Sequence, residues 1–238
     1  MSPASKPTST PPAPPTPVSS PDLPSRGPAA APEDERRSAR KRRAILEAAT
    51  SAFLRSGYLG TSMDEIAALA SVSKQTVYKH FADKENLFSA IVLATVDEAS
   101  DAVYSDVMNV RDSGDVEADL RDLARRQLAS VMQPRLLELR RLVIAEAGRF
   151  PELGRIFYER GPGRTIAALA EAFERLAARG ALTLEDPHLA AAHFNWLVMS
   201  IPLNRVMLLG SNEIPVDDEL DRYADAGVRA FLAAYRNR

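Results

Sequence analysis

The segment TSMDEIAALASVSKQTVYKHF, Thr61 to Phe81, carries two helix starts in quick succession, and this punctuation constrains the fold more than any other feature. Thr61 or Ser62 can cap a first helix. Ser62-x-x-Glu65 has the spacing of a capping box, in which hydroxyl and carboxylate each accept an orphan backbone N–H. Ile66, Ala67 and Ala70 form its inner face, and a tight turn through Ser71 and Val72 follows. Ser73 is a second N-cap, and Val72 with Val77 fits the hydrophobic staple. The pattern predicts a helix-turn-helix.

The second helix divides cleanly into faces. At 100° per residue Val77 and Phe81 point together towards the preceding helices. Gln75, Thr76 and Lys79 point away, with Lys74 and Tyr78 on the flank. Amide, hydroxyl, phenol and ammonium groups are what base edges and phosphates accept. His80 falls at the core boundary, where packing or a phosphate contact fits better than base reading. A short surface helix also turns polar residues outward for no purpose beyond solvation, so the face is weighed with its surroundings. Residues 36–88 hold ten Lys/Arg against five Asp/Glu in a chain whose net charge is −2. A basic N-terminal part on an acidic body points to a polyanion partner for that part alone. Within it, Arg36, Arg37, Arg40, Lys41, Arg42 and Arg43 read equally as a DNA-backbone arm and as a solvated helix end.

Helical periodicity continues to the end of the chain. Ile45, Ala48, Ala49, Ala52 and Phe53 recur at three- and four-residue spacing before a stop at Gly57. Amphipathic segments are predicted at about 83–109, 116–132, 135–149, 152–160, 163–179, 186–209 and 217–236, with breaks at Gly114, Pro134, Pro151, Gly161-Pro162-Gly163, Gly180 and Pro215. No alternating strand pattern is present. The expected fold class is all-α, with three parts. Residues 1–32, holding eleven of the 17 prolines, read as a disordered tail; 33–88 as the helix-turn-helix domain; 89–238 as a C-terminal helical domain.

The stretch AILEAATSAFLRSGYLGTSMDEIAALASVSKQTVYKHFADKENLFSAI, which follows Arg43 and ends at Ile91, resembles the N-terminal domain of the TetR family of bacterial transcriptional regulators. Gly57-Tyr58, Thr61-Ser62, Ser73-Lys74, Thr76-Val77-Tyr78 and His80-Phe81 carry the resemblance, followed by Lys84-Glu85-x-Leu87. It implies that the second helix of the pair enters the major groove of a double-stranded operator. The implied contact set is Lys74, Gln75, Thr76, Tyr78, Lys79 and His80, with Thr61, Ser62 and Lys84 towards phosphates at helix N-termini and Arg42 and Arg43 on the arm. A module of this size reads few base pairs, so a homodimer on a palindrome is expected.

The last two predicted helices are the candidates for that dimer. One carries the apolar stripe Ala190, Ala191, Phe194, Leu197, Val198 and Ile201; the other carries Ala224, Val228, Phe231, Leu232 and Tyr235. Such stripes serve an intrachain core as readily as an interface, and the family resemblance favours the interface. The run LRRLVIAEAGRFPELGRIFYERGP, Leu139 to Pro162, resembles the C-terminal domain of the AefR-like TetR subgroup, which implies a small-molecule cavity. Candidate lining residues are Phe150, Phe157, Tyr158, Phe173, His193, Asn195, Trp196 and Met199, each of them also a normal core residue.

Enzymatic function is not expected. The chain has three histidines and no cysteine, and lacks HExxH, GxSxG and GxxxxGK[ST] patterns. No catalytic residue, metal or cofactor is assigned. No run reaches the ~20 apolar residues of a membrane span, and a soluble, cytoplasmic protein is expected. The expected function is a ligand-responsive repressor, the alternatives being an activator or a ligand-independent architectural protein of the same fold.

Overall fold

The computed structural model describes residues 33–108 and 113–237, so the Pro-rich segment 1–32 lies outside the described residues. Among the described residues there are ten α-helices and no strand: α1 (Glu33–Gly60), α2 (Met63–Leu69), α3 (Lys74–His80), α4 (Lys84–Met108), α5 (Val116–Val131), α6 (Pro134–Glu146), α7 (Pro151–Tyr158), α8 (Arg164–Ala178), α9 (Pro187–Leu209) and α10 (Asp217–Tyr235). The helix starts follow from local chemistry. Ser62, Ser73, Asp115 and Asp186 accept backbone N–H groups of the first turn, while prolines open α6, α7 and α9, where a missing N–H does no harm.

Three local expectations are corrected. The stop at Gly57 is a kink (φ 70°, ψ 174°), after which helical turns resume to Gly60. The capping box forms only by half: Ser62 Oγ accepts from the Glu65 N–H at 3.1 Å, but the Glu65 carboxylate pairs with Arg55 at 2.7 Å. The Gly161-Pro162-Gly163 break is a π-helical turn, Glu159–Gly163, kinked at Gly161 and joining α7 to α8.

The core is two clusters. The first gathers Ile45, Phe53, Ile66, Val77 and Phe88 of α1–α4, and extends to Leu139, Val143, Leu153 and Phe157 of α6 and α7. The second packs α5, α8, α9 and α10 around Phe173, Phe194 and Phe231, whose rings meet at 5.0–5.4 Å. Helix α4 belongs to both: Leu87, Phe88, Ile91, Val92 and Val96 lie in the first, and Val103 and Val107 in the second. The boundary expected at residue 88 therefore falls inside one continuous helix. Arg160 and Arg164 fasten the π turn and α8 to α4 through Asp97 (2.7 Å) and Asp101 (2.6 Å).

Candidate nucleic-acid interface and internal cavity

Helix α3 is pinned by one residue and open on the other side. Val77 is fully buried, while Lys74, Gln75, Tyr78 and Lys79 are exposed; Thr76 and His80 are half-buried. The turn before α3 passes through Ser71 at φ 53°, a left-handed position that lets the chain turn from α2 to α3 within four residues. Ser73 Oγ accepts the Thr76 N–H and also shares a 2.8 Å hydrogen bond with Thr76 Oγ1. The Thr76 hydroxyl is thus half-engaged, and its methyl is the freer end. Lys74 pairs with Asp64 of α2 at 2.8 Å, which raises its pKa, and both side chains remain largely exposed. A phosphate would have to compete with that carboxylate.

Ser62, Lys74, Tyr78 and Lys84 come together around one shallow concavity, with Asp64 and Asp83 on its rim. Two members of the predicted set have internal duties. Thr61 is 2% exposed and its hydroxyl donates to the Gly57 carbonyl at 2.9 Å, so the side chain closes the kink and does not face outward. Lys84 Nζ donates to the Tyr58 and Thr61 carbonyls, both at 2.8 Å, and sits 4.4 Å from the Tyr58 ring centroid. The N-terminus of α4 is already capped by a carboxylate, with Asp83 Oδ1 accepting from the Asn86 N–H at 2.7 Å.

The basic run of α1 is exposed from Arg36 to Arg43. Arg42 lies over the Phe81 ring at 5.3 Å, and Arg43 is 3.7 Å from Glu47. Burial lowers the His80 pKa, and the neighbouring charges of Lys79, Arg42 and Lys41 lower it further. Both effects favour the neutral imidazole.

A cavity of about 50 Å³ lies between the two core clusters, where α4, α5, α6, the π turn and α9 meet. Phe157, Asn195, Trp196 and Met199 of the predicted lining set border it. The other four lie elsewhere. Phe150 stacks edge-on against Tyr58 at 4.9 Å and against Phe88 at 6.4 Å, at the joint between the first helices and α7. Tyr158 is 54% exposed; Phe173 is sealed in the second core. His193 is exposed, with Nδ1 2.6 Å from the Tyr235 hydroxyl. Sequence reasoning missed Arg140, Gln127, Ser100 and Thr165, which also border the cavity. A signal existed for two of them: Gln127 interrupts the stripe Leu120, Leu123, Ala124, Leu128 on α5, and Arg140 interrupts Leu136, Leu137, Val143 on α6.

The stripes expected to form a dimer interface are mostly internal. Ala190, Ala191, Phe194 and Val198 of α9 and Ala224, Val228 and Phe231 of α10 are fully buried within the chain, and Leu232 nearly so. Leu197 and Ile201 remain exposed at 42% and 59%. The two helices cross closely at Gly227, where a Cβ would lie 2.9 Å from the Leu197 carbonyl oxygen. Among the described residues no cluster of His, Cys, Asp and Glu could hold a metal, and no helix is long and apolar enough to cross a membrane.

Comparison with known proteins agrees with both halves of this arrangement. The family description "Bacterial regulatory proteins, tetR family" matches residues 45–91, and "AefR-like transcriptional repressor, C-terminal domain" matches 118–237. A TetR-family regulator from Mesorhizobium loti MAFF303099 superposes with a TM-score of 0.78 at 49% identity, over 84% of this chain and 98% of that one. The flavonoid-responsive regulator FrrA gives 0.69 at 34% identity, over 84% and 99%. The HTH-type regulator YhgD of Bacillus subtilis (strain 168) is 45% identical over 58 residues, 24% of this chain and 30% of that protein. The chain spans about a third of the length of the curated relatives it matches, among which a repressor and an activator both occur.

Proposed function

Because this chain belongs to the TetR family of DNA-binding transcriptional regulators, a family without enzymatic activity, we propose that it is a homodimeric, effector-responsive repressor of a palindromic operator. Helix α3 enters the major groove. Gln75 and Lys79 meet base edges there, the Thr76 methyl packs on a base, and Lys74 and Tyr78 reach the backbone from the flank. Ser62, at the N-terminus of α2, and Arg42 and Arg43, on α1, meet phosphates. Thr61 and Lys84 act indirectly, by holding the α1–α2 corner against α4.

The observation that carries this reading is α4, whose N-terminal half shares a core with α3 and whose middle borders the cavity. An effector there acts only through different affinities for the DNA-competent and incompetent forms, typically ~1–3 kcal/mol of coupling. The cavity volume would accommodate only a few waters. A larger occupant must spread α4 from α6 and α9, and α6 itself packs on the first cluster. The exposed faces of α9 and α10, with Leu197 and Ile201 at their centre, are the surface for the second copy. Repression is favoured over activation by the AefR-like repressor description of the C-terminal half.

Footprinting with purified protein on the DNA upstream of its own gene tests the reading. Protection of a two-fold symmetric site is expected, together with higher reporter transcription when the protein is absent. A protein that protects no palindrome, or whose loss lowers transcription, refutes the repressor.

A further inference from the structure

Eight arginines in the C-terminal part, Arg121, Arg125, Arg126, Arg155, Arg160, Arg164, Arg205 and Arg236, form ion pairs with carboxylates. Arg140 does not. It lies half-buried on α6 at the cavity wall, with its guanidinium 5.9 Å from the Phe157 ring centroid. Among the described residues no Asp or Glu forms an ion pair with it. Burial pushes its pKa down with no neighbouring charge to offset the effect.

A second polar group in the same wall is also incompletely matched. Gln127, 1% exposed, donates from Nε2 to Asn195 Oδ1 at 2.8 Å, and its own Oε1 is buried with no partner. A guanidinium without an anion and an acceptor without a donor, facing a mainly apolar cavity that Ser100, Thr165 and Asn195 also border, describe the complement of a particular molecule. Both side chains interrupt apolar helix faces where Leu or Met would serve packing alone.

We propose that the cavity takes an organic carboxylate with an apolar, hydroxyl-bearing body. The carboxylate pairs bidentately with Arg140, the hydroxyl donates to Gln127, and the body lies against Phe157, Trp196 and Met199. This rests on reading the C-terminal domain as a sensor. It adds the chemical class, which no relative's description states for this chain. Pairing an anion with a buried cation also supplies a reason for ligand-linked stabilisation, since the uncompensated charge exists only in the empty form.

The test is calorimetric titration of the full chain with naphthoate, hydroxynaphthoate and their neutral primary amides, repeated on Arg140→Met and Gln127→Leu. The acids are expected to bind at least about tenfold more tightly than the amides, a difference of ~1.4 kcal/mol. In Arg140→Met this preference disappears while amide binding persists, and in Gln127→Leu the gain from the hydroxyl disappears. Circular dichroism melting of both variants shows whether the fold is retained, and Arg140→Lys is expected to keep part of the preference. Equal binding of acid and amide to the native chain, binding of none of these acids, or an unchanged preference in Arg140→Met overturns the proposal. Gel shifts on the operator with the same preparations separate the two failures. A protein that releases its operator for neutral ligands while ignoring acids remains a sensor, but not of carboxylates.

Discussion

Lys84→Met separates two roles that a lysine at a helix N-terminus can have. If Lys84 contacts only phosphate, its removal weakens DNA binding and leaves the free protein unchanged. The structure instead places its ammonium on the Tyr58 and Thr61 carbonyls at 2.8 Å and over the Tyr58 ring. Hydrogen bonds to a charged group contribute ~1.5–3 kcal/mol each, and a cation over an aromatic face ~0.5–2 kcal/mol. The site is half-exposed, so water replaces part of what is lost, and methionine preserves the packing of the stem. A net loss of about 2 kcal/mol follows by taking the lower ends and discounting for solvent. At roughly 2–4 °C per kcal/mol for a chain of this size, Tm should fall by about 4–8 °C. Thermal unfolding by circular dichroism without DNA measures this directly. A Tm unchanged to within about 1 °C, with a salt dependence of DNA binding reduced by about one phosphate contact, would refute the strut and restore the phosphate role.

Four further substitutions and one titration probe the other features. Gln75→Ala and Lys79→Ala should each relax base preference, at different positions of the half-site, by ~1–3 kcal/mol; binding-site selection with each variant checks this, and uniform weakening on all sequences would place that side chain on phosphate instead. Gly57→Ala meets open space at its Cβ, but φ 70° and ψ 174° form a conformation nearly restricted to glycine, so a loss of ~1–3 kcal/mol in urea unfolding is expected from backbone strain alone. Gly227→Ala drives a methyl to 2.9 Å from the Leu197 carbonyl, and a loss of ~1–3 kcal/mol should be accompanied by weaker self-association in sedimentation, because Leu197 lies on the proposed dimer face. His80, with its pKa lowered in the fold, binds a proton more readily when unfolded. Its contribution is therefore complete above the ordinary value of about 6.5 and is lost as pH falls through that value towards the folded one. NMR titration should place its midpoint below 6.5 in the free protein, and one at or above that value would contradict the burial argument.

Much of this architecture was legible because its punctuation is local. Ser62, Ser73, Asp186 and the prolines at 134, 151 and 187 act on their own first turns, so helix starts could be read to within a residue or so. The outward set on α3 was legible for the same reason, since one buried Val77 fixes the phase of a seven-residue helix. What failed depends on which surface faces which. Thr61 reads as a cap, but the kink at Gly57 turns its hydroxyl inward. Phe150 and Phe173 are aromatic residues near the cavity in sequence, yet one joins Tyr58 and the other fills the far core. The stripe on α9 was identified correctly as apolar, but α8 and α10 cover most of it. Arg140 and Gln127 are polar side chains set in apolar rows of α6 and α5, and which part of such a row borders a cavity depends on how the helices pack rather than on local sequence.

The continuity of α4 has a consequence for how such a protein can vary. Its 25 residues extend about 37 Å at 1.5 Å per residue, so a tilt of only 5° about one end displaces the other by roughly 3 Å. In the proposed dimer, gearing of this kind would let a modest widening at the cavity mis-space the two recognition helices. It also makes rotational phase more important than length. One inserted residue midway along α4 would advance the DNA-reading end by only about 1.5 Å, but would swing it through about 100° relative to the cavity. An insertion within this shaft is therefore expected to uncouple the two ends where a substitution would not.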